Sequence, residues 1–238
     1  MIATDKIWMN GELVDWGDAK VHVGAHGLHY GTGVFEGIRC YDTPNGPAVF
    51  RLTDHIRRLD ASAKLLYMDL PHSVEEIRDA CLQLIGVNGL PECYLRPFAF
   101  YGYGELGVST AGNPVEVVIM SWPWGAYLGD DGMKNGIRCK ISSWKRVGAN
   151  TIPHAAKATG IYLNSMLAVI EANRAGYTRR SSSQTTATSR TARARTSSSS
   201  RTGRSRRRRS PRRSCPGSPA TRSSRSPRTW GTRSRRRT

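Results

Sequence analysis

The order of apolar and polar positions predicts strands at both ends of the first 128 residues, with helices between them. The N-terminal segments KIWMNGELVDW and AKVHVGAHGLHYGTGVFEGIRCYD alternate apolar and polar residues around turn signals such as Asn10-Gly11, which is typical of antiparallel strands. Strand character returns in ECYLRPFAFYGYG and VEVVIMSWPWG. This order predicts an α+β domain over residues 1–128.

Two segments between these strands carry the helical period. The first, RLTDHIRRLDASAKLLYM, places apolar residues on one face: Leu52, Ile56, Leu59, Ala63 and Leu66. Thr53 is placed to cap this helix. In SVEEIRDACLQLIGVNGL, Ser73 and Glu76 form a capping-box pattern, and Asn88-Gly89 is a stop signal.

The residues after the first domain predict the start of a second one. A Gly- and Asp-rich connection covers residues 129–136. It is followed by a strand in IRCKISSWKRV, the loop GANTIPHAAKATG and an amphipathic helix in IYLNSMLAVIEANRAGY. We expect residues 137–178 to begin a larger domain that the following sequence does not complete.

The positive charge of the chain is confined to its last 60 residues. Residues 1–178 contain 16 Lys and Arg against 18 Asp and Glu, whereas residues 179–238 contain 20 Arg and no acid. In this tail, 46 residues are Arg, Ser or Thr, and no Ile, Leu, Val, Met, Phe or Tyr is present. Because such a composition cannot offset the entropy of ordering a chain, we expect residues 179–238 to be disordered.

Cysteine usage and apolar runs favour a cytoplasmic protein. The five cysteines lack the paired spacing of a zinc site and the density of a disulfide framework, which predicts reduced thiols: Cys40, Cys81, Cys93, Cys139 and Cys215. No apolar run approaches the roughly 18 residues of a membrane span, and no signal-peptide pattern follows Met1.

Three sequence features suggest chemistry, and each has a simpler structural explanation. His22, His26 and His29 could ligate a metal from a helix, but their glycine-rich segment has strand character, so we expect hydrogen-bonding histidines and no metal. The glycines of YGTGVFEG could approach a phosphate or simply form turns. Lys157 lies among small alanines and could serve as a nucleophile, although a solvated lysine near a helix start would look the same.

Several segments taken together resemble the class IV pyridoxal-phosphate aminotransferases, and within them the branched-chain amino acid aminotransferases. They are GLHYGTGVFEGIRCY, RRLDASAKLL, YLRPFAFYGYG, WPWGAYLG, SSWKR and NTIPHAAKATGIYLNSMLA, in this order over residues 7–178. The resemblance implies a fold like that of the D-amino acid aminotransferases, with a complete small domain and a truncated second domain. It also implies homodimers or larger oligomers with the site near the subunit interface.

The resemblance implies a role for each matching residue on the cofactor side. Lys157 would bind pyridoxal 5'-phosphate covalently and move the substrate proton. Arg58 would hold the cofactor phosphate, and Tyr162 would hydrogen-bond the phenolic oxygen of the cofactor. Arg58 could otherwise be a surface residue, and Tyr162 a core aromatic.

On the substrate side, the resemblance implies a pocket that accepts both an aliphatic and an acidic side chain. The aromatic walls would be Tyr30, Phe35, Trp124 and Tyr127. Arg96, together with Tyr94, would receive the second carboxylate of glutamate or 2-oxoglutarate. The implied reaction is amino-group transfer between leucine, isoleucine or valine and 2-oxoglutarate.

The tail composition suggests that residues 179–238 are translated out of frame. Each tail residue fixes the first two bases of its codon, and the overlapping frame then permits family-like runs such as EAILLTDDGYV, SDGSGENIFVV and LPGITRDSVI. We therefore hypothesise a frame slip at about Thr178, with an Asp where the family usually has a Glu facing the pyridine nitrogen. Without these segments, we expect the chain as written to bind pyridoxal phosphate weakly or not at all and to be inactive.

Two other functions remain open from the sequence. The chain could belong to another class IV branch, the D-amino acid aminotransferases or the aminodeoxychorismate lyases, although YLRPF and FEGIR favour the branched-chain enzymes. Alternatively, the basic tail could bind RNA or DNA through phosphates. The tail has one Trp and three Gly, too few to stack bases, so we expect no specific nucleic-acid partner.

Overall fold

A computed structural model describes residues 2–124, 134–148, 150–177 and 179–182. Its first part is built on a seven-stranded antiparallel sheet with the order β2-β1-β7-β6-β4-β5, in which β3 also pairs with β6. The strands are β1 (Lys6–Met9), β2 (Glu12–Asp15), β3 (Gly33–Phe35), β4 (Ile38–Tyr41), β5 (Ala48–Val49), β6 (Cys93–Tyr101) and β7 (Val115–Trp122). The expected α+β class is confirmed.

Local turn chemistry explains the first hairpin. Asn10 and Gly11 join β1 to β2 with positive φ angles of 50° and 101°, a conformation that Asn and Gly adopt more easily than other residues. The Asn10 side-chain oxygen accepts a hydrogen bond from the backbone N–H of Val117 at 2.8 Å. The turn therefore fixes the position of the hairpin beside β7 as well as its register.

Two helices cover one face of this sheet and form the main core with it. They are α2 (Leu52–Leu65) and α3 (Val74–Val87). The expected apolar stripe of α2 is buried at Leu52, Ile56, Leu59 and Ala63. The fifth expected position, Leu66, follows the helix and packs against the core half-buried.

The ends of the two helices differ in how well the sequence predicts them. The capping box of Ser73 and Glu76 is present in α3, and the helix stops at Asn88-Gly89 as expected. The cap predicted at Thr53 is wrong, because α2 begins one residue earlier and Thr53 lies inside it. Arg51, in the left-handed conformation, precedes the helix without a side-chain cap.

The histidine-rich segment is helical where a strand was predicted. Helix α1 (His26–Tyr30) is a five-residue helix that ends at Gly31, whose φ of 65° terminates it. The histidine side chains nevertheless make separate hydrogen bonds. His26 lies 2.8 Å from both the Thr32 hydroxyl and the Gly107 carbonyl oxygen, and His29 lies 2.8 Å from the Val23 carbonyl oxygen.

The second part of the described chain contains four elements. They are β8 (Cys139–Ser142), a 3₁₀ turn (Thr159–Ile161), α4 (Tyr162–Arg174) and β9 (Arg179–Ser182), and β9 runs parallel to β8. The tail expected to be disordered therefore begins with a strand. Strand pairing uses backbone groups that every residue here possesses, so an Arg- and Ser-rich composition does not prevent it. The remaining tail, residues 183–238, lies outside the described residues.

Backbone contacts join the two parts at the loop before the 3₁₀ turn. Val34 of β3 forms an isolated antiparallel bridge with Ala158, and both residues are buried. The predicted domain boundary near residue 128 falls within residues 125–133, outside the described residues, and stays a prediction.

The thiols of the described chain are unpaired, as the cysteine spacing predicts. Cys40, Cys81 and Cys93 are buried, and Cys139 is exposed. Burial raises the pKa of the Cys81 thiol to about 12, which makes it a poor nucleophile. Cys215 lies outside the described residues. Among the helices that the structure describes, none is long and apolar enough to cross a membrane.

An acidic residue links α4 to β8. The Glu171 carboxylate accepts hydrogen bonds from the Ser142 hydroxyl and the Ser143 backbone N–H, and it lies 3.2 Å from the Lys140 ammonium group. The Ser142 hydrogen bond is the main cause that lowers the pKa of Glu171 to about 2, since it favours the charged carboxylate.

We expect this carboxylate to make the β8–α4 unit sensitive to acid. The folded pKa lies below the usual 4.5, so the stabilisation is complete above about pH 4.5 and is lost as the pH falls toward 2. Glu171→Gln should therefore lower the unfolding temperature at pH 7, and the difference from the parent should shrink at pH 3. Thermal unfolding followed by circular dichroism at both pH values tests this. A difference that stays constant would contradict the assignment.

Candidate active site

The backbone of Lys157 is held between β3 and α2. Its carbonyl oxygen accepts a hydrogen bond from the Phe35 N–H at 3.1 Å, and its N–H donates to the Ser62 hydroxyl, also at 3.1 Å. Ser62 is buried on α2. The alanines around Lys157 allow this close approach, because Ala156 and Ala158 both lie in the core. The lysine therefore projects from a fixed point of the chain.

The amine of Lys157 lies among aromatic groups. Its Nζ is 2.9 Å from the Tyr162 hydroxyl and 5.0 Å from the centre of the Phe35 ring. The Phe35 and Tyr162 rings are 4.8 Å apart. Tyr162 is 41% exposed at the start of α4, so the alternative that it is a core aromatic is wrong. The amine and the phenol thus meet at an accessible surface with an apolar wall.

The loop after the lysine is tied to the end of α1. The Thr159 hydroxyl donates to the Gly31 carbonyl oxygen at 2.6 Å, and the Gly160 N–H donates to the same oxygen at 3.1 Å. A side chain on Gly31 would lie only 3.0 Å from the Gly160 Cα, so this approach requires glycine. The segment that carries Tyr30 is thereby fixed relative to Lys157.

Arg58 projects from α2 toward a buried carboxylate. Its Nε donates to Glu36 Oε1 and its Nη2 to Glu36 Oε2, both at 2.6 Å. The Glu36 side chain is completely buried, whereas the Arg58 side chain is 54% exposed. The hydrogen bond that Arg58 donates to Glu36 is the main cause that raises the pKa of Arg58 above its usual range. Arg58 is therefore neither free nor randomly oriented on its helix.

Glu36 is a site residue that the sequence reasoning missed. It lies in FEGIR, one of the segments that carry the family resemblance. His55 adds a third contact, with its Nδ1 3.1 Å from Glu36 Oε2. The available signal was a lone acid between two buried strands, since a charge at such a position requires a partner. Its partners lie on a helix about twenty residues away in sequence.

Arg96 lies in an aromatic cage. Its guanidinium carbon is 4.6 Å from the centre of the Phe35 ring, 5.3 Å from that of Tyr94 and 5.9 Å from that of Trp122. Its Nη2 donates to the Tyr94 hydroxyl at 3.3 Å, and its buried Nε has no hydrogen-bond partner among the described residues. A buried donor of this kind suits an anionic ligand.

The cage continues through Trp124. The Tyr94 ring lies 4.7 Å from the Trp124 ring and 4.9 Å from the Trp122 ring. Arg39 pairs with Glu92 and donates to the Trp124 carbonyl oxygen at 3.4 Å. The structure thus brings Phe35, Tyr94, Arg96 and Trp124 together. Tyr127 lies outside the described residues.

Tyr30 occupies a different position from the other expected wall residues. It is the last residue of α1, its ring stacks on His26 at 4.4 Å, and it is 47% exposed. It is connected to the lysine loop through Gly31. Its expected place in the substrate wall stays a prediction.

Gly37 allows Tyr94 to approach the strand next to Glu36. A Cβ atom on Gly37 would overlap the Tyr94 hydroxyl oxygen. We expect Gly37→Ala to displace Tyr94, to break its hydrogen bond with Arg96 and to destabilise the fold by about 1–3 kcal/mol. Gly86→Ala is the matched control, because its Cβ meets nothing within 4 Å in α3 and should be neutral or stabilising. Denaturant unfolding of both variants measures the difference, and equal stabilities would contradict the expectation.

The side chains present fit pyridoxal phosphate. An amine with a phenol 2.9 Å away can bind an aldehyde that carries an adjacent phenolic oxygen, and an ordered guanidinium can bind a phosphate. Phe35 offers an apolar surface beside the amine. Arg58 and Tyr162 are also close enough for the tyrosine to contribute to the raised pKa of Arg58.

Comparison with known proteins identifies the family. The sequence profile described as Amino-transferase class IV matches residues 33–180, and the chain belongs to this family. The branched-chain-amino-acid aminotransferase of Escherichia coli (strain K12) is 51% identical over 174 residues, which cover 73% of this chain and 56% of that protein. The corresponding enzyme of Pseudomonas aeruginosa is 46% identical over 170 residues, covering 71% and 55% of the two chains.

Solved structures agree with this assignment and confirm the class IV aminotransferase fold. The crystal structure of the Escherichia coli branched-chain amino acid aminotransferase matches with a TM-score of 0.73 and 50% identity, covering 74% of this chain and 59% of that one. A second branched-chain amino acid aminotransferase, solved with pyridoxamine 5'-phosphate, matches with a TM-score of 0.72 and 46% identity, covering 76% and 59%. The chain thus spans little more than half the length of the relatives it matches.

Proposed function

We propose that the described residues form the lysine side of a branched-chain amino acid transaminase site that uses pyridoxal 5'-phosphate. The observation that carries this proposal is the position of the Lys157 amine, 2.9 Å from the Tyr162 hydroxyl and beside Phe35. The relatives named branched-chain aminotransferases, one of them solved with pyridoxamine 5'-phosphate, support it. Their names favour this activity over D-amino acid transamination and aminodeoxychorismate lyase activity.

Each of the site residues would have a separate role in amino-group transfer. When bound, pyridoxal phosphate supplies an electron-withdrawing ring that lowers the barrier to removing the substrate Cα proton. Lys157, held at both backbone groups, would attach the cofactor and take and return that proton through Nζ. Tyr162 would donate a hydrogen bond to the phenolic oxygen, and Arg58 would hold the phosphate. Phe35 would exclude water on one side of the amine.

The aromatic cage would provide the dual substrate specificity. A branched aliphatic side chain can pack against Phe35 and Trp124, because apolar surfaces exclude water there. A dicarboxylate can place its second carboxylate on the half-buried Arg96 side chain beside Tyr94. Both substrates of a transaminase working on leucine, isoleucine or valine and 2-oxoglutarate could then use one pocket.

We further propose a homodimer or larger oligomer in the cytoplasm. The segments around residues 21–30 and 103–108 are joined by the Ala25–Tyr103 bridge and by the hydrogen bond between His26 and the Gly107 carbonyl. Together they present an apolar surface to solvent: Val23, Leu28, Tyr103, Leu106 and Val108. A patch of this kind is typical of a protein interface. Sedimentation analysis would measure the assembly state.

The test of the proposed function compares two polypeptides. One is the chain as written, and the other, called here the frame-restored protein, is translated from a gene in which the overlapping frame is read after Thr178. We expect the frame-restored protein to transfer the amino group of leucine, isoleucine and valine to 2-oxoglutarate, and the chain as written to be inactive. Preference for D-amino acids in the frame-restored protein would contradict the proposal. An intact gene that encodes the arginines directly would refute the frame slip.

A further inference from the structure

Glu36 is the completely buried acidic side chain among the described residues. Removing a carboxylate from water costs several kcal/mol unless a positive partner and hydrogen bonds compensate for it. Arg58 and His55 provide these contacts, and both come from α2. The position is therefore costly to maintain, which calls for an explanation beyond packing.

The geometry of the pair leaves one edge of the guanidinium free for another ligand. Arg58 uses Nε and one hydrogen of Nη2 to bind the two oxygens of Glu36. A guanidinium has five N–H donors, and Nη2 also lies 3.4 Å from His55 Nδ1, so the two N–H groups of Nη1 are the main donors left for another ligand. The Arg58 side chain is half exposed, and this makes the remaining edge accessible. The Glu36 carboxylate thus binds the Nε–Nη2 side of the guanidinium, and Nη1 can bind another ligand.

We propose that Glu36 is a positioning residue that orients Arg58 for the phosphate of the cofactor. The inference rests on the proposed function in assigning a phosphate to Arg58. An arginine side chain carries substantial rotamer entropy, and ordering it at the moment of binding weakens affinity. Glu36 orders the guanidinium before the ligand arrives. The loss of rotamer entropy therefore occurs on folding and does not weaken ligand binding.

Two effects of Glu36 on phosphate affinity have opposite signs. Its negative charge repels a phosphate, whereas its grip orients the cation that binds the phosphate. Arg58 is half exposed, so water screens the repulsion. The orientation of the guanidinium, by contrast, depends on two short hydrogen bonds that water does not replace. We therefore expect orientation to dominate.

Glu36→Gln shows which of the two effects is larger. It keeps the size of the side chain but replaces one carboxylate oxygen by an NH₂ group, which cannot accept from Nε or Nη2 of Arg58. The two-point grip is lost together with the charge. If repulsion were dominant, Glu36→Gln would tighten phosphate binding, and if orientation is dominant, it weakens it.

The experiment titrates the full chain with inorganic phosphate and follows the Arg58 Nε–H signal in ¹H–¹⁵N spectra, assigned by its loss in Arg58→Lys. We expect the signal to respond to phosphate in the parent chain. In Glu36→Gln the apparent Kd should rise about three- to tenfold, the factor expected when one arginine must be ordered on binding. Glu36→Asp keeps both acceptors on a shorter stem and should lie between the two.

A matched control neutralises a carboxylate on α2, the helix that carries Arg58. Asp54 pairs with Arg51 and Arg57 on the surface of α2, so Asp54→Asn removes the same charge without affecting the Arg58 grip. Its phosphate affinity should equal that of the parent. In the Arg58→Lys background, Glu36→Gln should have little further effect on phosphate-induced shifts of neighbouring backbone amides, because an ammonium group cannot form the two-point contact that orients the guanidinium.

Several outcomes would overturn the proposal. The Arg58 signal of the parent chain could fail to shift when phosphate is added. Glu36→Gln could bind phosphate more tightly than the parent. Glu36→Gln could also weaken phosphate binding further in the Arg58→Lys background. If Glu36→Gln and Glu36→Asp both fail to fold while Arg58→Lys folds, the carboxylate serves the core and not Arg58.

These results remain separable from the proposed function. Phosphate binding at Arg58 that depends on Glu36 supports the positioning role even if Lys157 proves unreactive toward pyridoxal phosphate. A reactive Lys157 with unchanged phosphate affinity in Glu36→Gln overturns the positioning role and leaves the proposed function standing.

Discussion

Lys157→Ala in the frame-restored protein is expected to lower kcat/KM for leucine by at least about 10²- to 10⁴-fold, the contribution of a positioned acid–base group. The amine is the group beside Tyr162 that can both attach the cofactor and move the Cα proton. Stopped-flow measurement of amino-group transfer from leucine to the cofactor would give the rate of the half-reaction. Lys157→Arg should be equally impaired, because a guanidinium stays protonated and cannot act as a base.

Lys64→Ala is the matched control for this substitution. Lys64 is an exposed lysine of α2 whose ammonium group pairs with Asp60 at 2.7 Å. Its removal alters net charge in the same way and should leave the rate unchanged. A Lys157→Ala protein that keeps the parent rate would exclude Lys157 as the reacting amine.

Arg96→Met is expected to separate the two substrates of the frame-restored protein. Methionine retains much of the packing against Phe35 but cannot bind a carboxylate. We expect KM for 2-oxoglutarate to rise about 30- to 1,000-fold, the usual cost of removing one member of a buried charge pair. KM for leucine should change much less, since its side chain makes no charge contact.

The control for Arg96 is an arginine that also stacks on an aromatic ring. The Arg138 guanidinium lies 5.1 Å from the centre of the Tyr177 ring, which is not one of the rings around Arg96. Arg138→Met should leave both KM values unchanged. Equal losses for leucine and 2-oxoglutarate in Arg96→Met would indicate a structural role and contradict the assignment.

The sequence predicts those elements of the fold that local chemistry determines. The hairpin at Asn10-Gly11, the capping box of Ser73 and the buried stripe of α2 follow from turn geometry, capping and periodicity. Helix α1 was missed because five residues rich in His and Gly carry almost no periodic signal. What holds it is a tertiary contact, the hydrogen bond of His26 to the Gly107 carbonyl, which no local pattern reveals.

In the candidate site too, the sequence predicts some features and only the structure reveals others. Motif order indicates Lys157, Tyr162, Arg58 and Arg96, and the structure brings the first two within 2.9 Å and places Arg96 in its aromatic cage. The contact between Glu36 and Arg58 joins the residue after β3 to a position 22 residues later on α2, and it depends on how α2 packs on the sheet. The sequence pattern alone does not show that α2 packs close enough to the sheet for this contact to form. The sequence therefore indicates which residue types could act on a cofactor and substrate, and the structure identifies Glu36 as the partner of Arg58.

Identifying the lysine of the full chain that reacts with pyridoxal phosphate tests the proposed role of Lys157 directly. The chain is incubated with excess cofactor, reduced with borohydride, digested and mapped by mass spectrometry. We expect weak overall labelling that is concentrated on Lys157, because its amine lies 2.9 Å from the Tyr162 phenol, which in turn contributes to the raised pKa of Arg58. Labelling spread over exposed lysines such as Lys20 and Lys64, with Lys157 no more reactive than they are, would contradict it.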